Sequence, residues 1–430
     1  MLDRLDVRDA RADLRARLGL GPGASNPDDT VTDAVQAILD AVRDRGDAAV
    51  REFTERFDGA TIDELRVPRS EWIAAAEQTP PEVREALEVA GTRIAEYHKL
   101  QASAPSASFV ADGVTVSEAI RPVDRAGLYV PGGRATYPST VLMTAIPARI
   151  AGVPERALCV PPDREGNIPA VTLAAALLAD VTEVYRVGGA QAIAALAYGT
   201  ESIPAVDVIV GPGNAYVDAA KRLVAGAGIV GIDGPAGPSE LVVIADTHAD
   251  PRQVALDLAA QAEHGPGGTA MVLAWDPAVL DAVTDALTGY LADADRADEI
   301  QSTLTTGGRA VLVRDVEQAV DVANLVAPEH LELLIDHAAE IVPMIRHAGA
   351  VFIDAPTAIG DYVSGANHVL PTGRAARFSS ALRVDDFRTH MHVIQATADG
   401  LAAIGPAAAT LADAEGLVAH AASVRRRLRA

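Results

Sequence analysis

The sequence has 430 residues, 49% of them hydrophobic and 22% charged, with 36 basic against 59 acidic side chains and a net charge of −23. That length exceeds what one simple core carries, so at least two packed units are expected; the acidic balance argues against nucleic-acid or anionic-membrane partners, which require basic patches. The lone cysteine, Cys159, excludes an intrachain disulfide and a thiolate zinc site, and no apolar run approaches the ~18–20 residues that span a bilayer.

Residues 1–28, opening "MLDRLDVRDARADLRARL", alternate acids and bases and lack the apolar centre of a signal peptide. They read as an N-terminal arm of a cytoplasmic protein. Over 31–103, "VTDAVQAILDAVRDRG" and "PEVREALEVAGTRIAEYHKLQ" carry apolar residues at helical spacing. "SFVADGVTVSEAI" alternates about Asp112-Gly113, a hairpin pattern. From residue 126 short β-branched strands alternate with Ala-rich helices: 126–130, 156–160, 183–187, 206–210, 229–232, 240–246, 269–275, 309–314 and 350–354. Such alternation predicts βαβ units and largely parallel sheets. Nine strands exceed what one open sheet here would hold, so two α/β domains are expected, with a seam at the Gly/Pro-rich 231–240. After residue 383 no strand pattern recurs, and "LAAIGPAAATLADAEGLVAHAASVRRRLR" predicts a helical tail.

Three glycine-rich turns, "YVPGGRATYPST" (129–140), "RVGGAQAI" (186–193) and "IVGPGNAYV" (209–217), each follow a strand and precede a helix. Helix N-termini at carboxyl ends of strands bind phosphates, so the trio suggests a phosphate-bearing ligand; ordinary tight βα turns would look the same. "GAGIVG" (226–231) matches G-x-G-x-x-G, but a helix precedes it and a strand follows. That inverts the dinucleotide-binding context, so its glycines are expected to end a helix.

Of ten histidines, His98, His248, His337 and His347 sit among charged residues and are expected to be solvated. His390 and His392 alternate across Met391, a spacing that suits an edge strand. The others have unusual company. Gln261 and His264 share a helix face at the end of "DLAAQAEHGPGG", which is either a helix terminus or a ligand pair. His330 adjoins Glu329 after Pro328, a position suited to the first turn of a helix; the pair reads either as a dipole-favouring terminus or as acid–base machinery. His368 lies with Asp361 in "GDYVSGANHVLPTG", and His420 follows Glu415 by five residues. With thiolates excluded, Gln261, His264, Asp361 and His420 are candidate nitrogen and oxygen ligands for a borderline divalent ion, although their spacing matches no standard zinc signature.

Together "GLYVPGG", "GGAQAI", "GPGNAYV", "PAGPSE", "QAEHGPGG", "APEHLE", "GDYVSGANHVLPT", "RFSS" and "AEGLVAH", in this order, resemble the L-histidinol dehydrogenase family over about residues 30–425. The resemblance implies two related Rossmann-like, aldehyde-dehydrogenase-like α/β domains: 29–128 with 239–382 as the larger, 129–238 as the second, and 383–430 as a tail exchanged in a homodimer. It implies oxidation of L-histidinol through L-histidinaldehyde to L-histidine with two NAD. Zinc ligands would be Gln261, His264, Asp361 and His420, and the catalytic pair Glu329 and His330. Substrate contacts would add Ser239, His368 and Glu415, with nucleotide contacts at Tyr129, Gln191 and Asn214. A paralogous dehydrogenase of another amino alcohol or polyol, or a catalytically silent metal-binding homologue, are the alternative readings. Asp354 stands where the resembled family commonly has glycine, and Ala381 where glycine is usual; both neighbour the loop bearing Asp361 and His368.

Overall fold

The computed structural model describes all residues except 1, 11–12, 21–28, 103–106, 133–134, 235–236, 266 and 430, and Asp29 by its backbone alone. Parts of the expected arm, of the 129–140 turn, of the 231–240 seam and of the 257–268 motif therefore lie outside the described residues. Among those described, the strands in chain order begin with β1 (Asp3–Asp6), β2 (Ser108–Ala111), β3 (Val114–Pro122), β4 (Arg125–Tyr129) and β5 (Glu155–Val160). They continue with β6 (Glu183–Arg186), β7 (Val208–Val210), β8 (Gly231–Ile232), β9 (Glu240–Ala245) and β10 (Thr269–Ala274). The last are β11 (Gly308–Leu312), β12 (His330–Leu334), β13 (Ala350–Ile353) and β14 (Arg388–Ala396).

Two parallel sheets result. One runs β6-β5-β4-β7-β8 and the other β1-β11-β10-β9-β12-β13. β9 and β10 are near-continuous apolar runs, and β4 and β7 are buried at every residue, because helices cover both faces of such a sheet. β2, β3 and β14 form a separate antiparallel sheet, β2 and β3 being the hairpin expected about Asp112-Gly113. No helix among the described residues is long and apolar enough to cross a membrane.

Several expectations change. The N-terminal segment is no free arm: β1 pairs in parallel with β11, and Leu14 and Leu18 are buried against the same sheet. A strand does recur after 383, since β14 pairs with β3 over nine residues; its two faces flank solvent and the tail, so it lacks an apolar alternation. The tail helices Ala398–Ala414 and Val418–Leu428 follow as expected. Apolar residues of 35–95, including Val35, Trp72 and Ile94, share cores with Leu128, Tyr129 and Leu158 of the five-stranded sheet. The helical segment thus packs on the five-stranded sheet, in cores that also take in Val369 and Leu382. His98 is fully buried, its Nδ1 2.8 Å from the Ile94 carbonyl, because its helix is covered on that face by the Asn367 loop. The glycines of 226–231 end the helix Ala215–Gly226, with Gly228 in the left-handed region at φ 70°.

Candidate active site

The two parallel sheets border one cavity from opposite kinds of edge. The carboxyl edge of the five-stranded sheet carries the three glycine-rich turns, after β4, β6 and β7. The amino edge of the six-stranded sheet carries Ser239 and Glu240 at β9 and Glu329 and His330 at β12. A cavity of ≈ 380 Å³ joins them, lined by Pro212 and Asp233 from one side and Ser239, Glu329 and His368 from the other.

Glu329 and His330 do not open a helix. Ala327 adopts φ 51° and ends the helix Val316–Val326; Pro328 cannot extend that helix, and pairing of β12 with β9 and β13 draws the chain into a strand. Glu329 precedes the strand that His330 opens, and the two side chains stay close while reaching different further partners. Glu329 turns toward β9, where its Oε2 accepts the Glu240 N–H at 3.0 Å. His330 sits with Nε2 3.7 Å from Asp361 Oδ1 and Nδ1 3.6 Å from Glu329 Oε2. Both separations exceed a good hydrogen bond, and Nδ1 has no hydrogen-bond partner.

Asp361 lies in the short helix Thr357–Tyr362. Its backbone carbonyl is 2.9 Å from His368 Nδ1, and the other ring nitrogen of His368 is 3.1 Å from Thr140 Oγ1. Gln261 and His264 close the group. The helix Pro251–Ala262, capped by Asp250 with Pro251 in its first turn, carries Gln261 in its last turn, buried with its amide Nε2 unpartnered. His264 follows on the broken end, where Gly265 at φ 123° turns the chain away.

The ionisations are interdependent. Burial raises the Glu329 carboxyl although His330, the Glu240 N–H and Ser239 oppose the rise. Desolvation works against a charged His330, but the Glu329 and Asp361 carboxylates outweigh it and raise its pKa. Burial would raise Asp361 too, yet His330, His368 and His264 hold it below the usual carboxylate range. His264 and His368 are pushed down by burial and held in the neutral form, the form that ligates metals. A neutral imidazole, an amide oxygen and a carboxylate make a nitrogen and oxygen donor set that suits zinc. His420 and Glu415 stand apart. Both are exposed on the tail, whose helices pack chiefly on each other and on β14. Among the described residues, no hydrogen bond or ion pair joins them to the cluster, and no three His, Cys, Asp or Glu converge on a metal position.

At the facing edge, Tyr129 ends β4 and its hydroxyl accepts the Gly189 N–H at 3.1 Å. Asn214 caps the helix Ala215–Gly226, its Oδ1 accepting from Tyr216 and Val217. Gln191 is 1% exposed with both amide atoms unpartnered. Two helix N-termini, at Gly189 and Ala215, thus open on this edge, an arrangement that favours an anion.

Two contributors escaped the sequence reading. Glu240 accepts the Gly373 N–H at 3.1 Å, and burial together with the neighbouring Glu329 charge pushes its carboxyl up to about 8; its place beside Ser239 in "PSE" was the available signal. Lys221 and Asp233 form a buried ion pair around Gly211, with Lys221 Nζ 3.0 Å from the Gly211 carbonyl and Gly211 N–H 2.7 Å from Asp233 Oδ2. Lys221 reads in sequence as an ordinary helix-surface lysine and carries no such signal.

A histidine–carboxylate cluster at the amino edge of one parallel sheet, facing the anion-favouring turns of another, defines an α/β enzyme with acid–base machinery in an interdomain-type cleft. The histidinol dehydrogenase family profile matches residues 23–428. The chain is 49% identical over 396 residues to histidinol dehydrogenase of Parasynechococcus marenigrum strain WH8102, covering 92% of this chain and 90% of that one. It is 48% identical over 406 residues to that of Pseudomonas putida, covering 93% and 91%. The crystal structure of histidinol dehydrogenase from Elizabethkingia anophelis superposes with a TM-score of 0.94 at 35% identity, covering 100% of this chain and 98% of that one. The chain belongs to the histidinol dehydrogenase family, and so to the oxidoreductases of histidine biosynthesis.

Proposed function

We propose that this protein oxidises L-histidinol to L-histidinaldehyde and then to L-histidine, passing a hydride to NAD in each step, in a zinc-bearing site shared across a homodimer. The observation that carries the reading is the Glu329–His330–Asp361 chain of contacts, set beside His264 and Gln261 and opposite the glycine-rich edge. Gln261, His264 and Asp361 would hold zinc with His420 of a second chain as the fourth ligand. Zinc, when bound, would fix the imidazole and amine of histidinol and so orient the carbinol carbon; orientation of this kind lowers barriers by several kcal/mol.

The chain's own residues account for the proton movements. His330, with an unpartnered Nδ1 and two flanking carboxylates that stabilise its charged form, accepts the alcohol proton as the first hydride leaves. Glu329 takes a proton from the water that adds to the aldehyde, and its burial makes the carboxylate a stronger base than a solvated one. Once it has released that first proton to solvent, His330 accepts the hydrate proton during the second hydride transfer. Ser239, His368 and Glu415 would contact substrate, and Tyr129, Gln191 and Asn214 the nucleotide. The dimer reading draws support from a broad apolar surface on β14 and the tail, where Met391, Ile394, Leu411 and Val418 are exposed; such patches mark interfaces.

The deciding assay follows NADH absorbance with purified zinc-loaded protein, NAD and histidinol. Two NADH per histidinol is expected, and no turnover with the metal occupied refutes the reading. Mixing His420→Ala with Glu329→Gln chains should restore part of the activity that each lacks alone; no recovery would refute the shared site.

A further inference from the structure

The two parallel sheets repeat one connectivity. β4 is followed by β5 and β6 to one side and then by β7 and β8 on the other; β9 is followed by β10 and β11 and then by β12 and β13 in the same way. Each sheet therefore has a switch point, between β4 and β7 and between β9 and β12. Ligands of open parallel sheets settle outside the carboxyl ends of the strands at such points. In the five-stranded sheet that position bears the glycine-rich turns. In the six-stranded sheet the proposed chemistry uses the amino edge, which leaves its carboxyl-edge switch point without a role.

An open cleft of ≈ 770 Å³ lies there, bordered by the segments that leave β9, β12 and β13 and by the helix Pro251–Ala262. Its charge is the reverse of a phosphate site. Asp250, Asp257, Glu332, Asp336 and Asp354 line it, and no lysine or arginine does. Asp250 is engaged in capping its helix at Arg252 N, and the rim histidines pair outward, His248 with Asp246 and His337 with Asp336 and Glu340. Asp354 holds φ 47°, a left-handed conformation that explains a preference for glycine at this position and that aspartate tolerates. Here it adds a carboxylate to the cleft.

The floor points to a ligand independently of that acidic rim. Glu332 is 1% exposed, and its Oε2 has no hydrogen-bond partner. A buried acceptor left unmade costs about 1–3 kcal/mol. Its other contact is Asp257, one turn ahead of Gln261 on the helix. Burial and the Asp257 charge push Glu332 up to about 9, and burial raises Asp257 as well. Leu256 and Ile353 supply an apolar wall. Among the described residues the acids do not converge into a metal-ligating group, so the geometry suits a body larger than an ion.

We infer that this cleft is a second ligand site, taking a small organic cation whose ammonium group donates to Glu332 Oε2 and Asp257 while a short apolar body lies on Leu256 and Ile353. The inference is independent of the proposed reaction and is read by binding alone. Isothermal titration of the full-length protein compares n-hexylammonium with hexanoate, which share a tail and differ in the sign of the head. Saturable binding of hexylammonium, at least tenfold tighter than hexanoate, is expected. Glu332→Gln should weaken it at least tenfold. Leu256→Trp, at a position 48% exposed, should fill the cleft and abolish binding without touching the buried pair, which keeps the test decisive if the Gln variant fails to fold. Equal binding of both probes, saturable binding of neither, or hexylammonium binding unchanged by Leu256→Trp would overturn the inference.

Discussion

Replacing Lys221 with methionine tests how the glycine-rich edge of the five-stranded sheet is held together. Lys221 and Asp233 side chains are 1% and 3% exposed, and together they grip both the N–H and the carbonyl of Gly211. Methionine fills much of the lysine volume but leaves the Asp233 carboxylate buried without its cation. Breaking a buried pair by removing one partner costs about 3–5 kcal/mol, because desolvation of the remaining charge is no longer offset. Burial already raises Asp233 against the pull of Lys221, so without lysine its folded pKa rises further above the unfolded value of ~3.9. For an acid shifted upward, the folded state holds its proton longer than the unfolded state. The loss is therefore smallest near and below pH 4 and grows as pH rises toward the folded value. Urea denaturation of Lys221→Met at pH 5 and pH 8, beside a Lys221→Met/Asp233→Asn double variant, measures this. The single variant should be the less stable at pH 8 by several kcal/mol, with part of the loss recovered at pH 5 and in the double variant. A loss below ~1 kcal/mol at pH 8, or one indifferent to both pH and Asp233→Asn, refutes the account.

Glu240→Gln keeps an acceptor for Gly373 N–H and removes the ionisation that burial and Glu329 push up to about 8. Wild type holds its stability below the unfolded value near ~4.3 and loses it as pH rises through about 8, so the variant should gain on wild type between pH 6 and 9 by on the order of a few kcal/mol; parallel melting curves that do not diverge would exclude this. Gly211→Ala places a methyl against the Tyr129 carbonyl at φ 120°, and a loss of at least ~2 kcal/mol in urea with a raised KM for NAD is expected. His264→Ala should retain less than about a tenth of the zinc that wild type holds after dialysis, read by metal analysis; full zinc content would remove His264 from the ligand set.

Local pattern made much of this molecule legible. β7 and β9 show in the sequence as β-branched and apolar runs next to glycine-rich turns, and the Gln261–His264 spacing marks the helix end it proves to be, because those features depend on neighbours a few residues away. Glu329-His330 misled for the same reason. Proline before an acidic residue is a fair helix start, and only pairing with Leu241 and Ala350 on flanking strands makes His330 the first residue of a strand. His98 reads as solvated among charged neighbours on its own helix and is buried by a loop 269 residues away. β1 went unseen because a short edge strand owes its conformation to the partner strand rather than to an apolar alternation, and β14 showed only in the His390–His392 alternation that suits an edge strand.

By itself, then, the sequence determined the kinds of element, the parallel α/β class and the inventory of histidines, carboxylates and glycine turns, all of which rest on residue type and short-range periodicity. Tertiary structure decided that the amino edge of one sheet and the carboxyl edge of the other border one cavity, that Glu329 meets the Glu240 N–H while His330 faces Asp361, and that a carboxylate-lined cleft occupies the remaining switch point. Those outcomes depend on strand order and on contacts between segments hundreds of residues apart, for which a chain of residues carries no local mark.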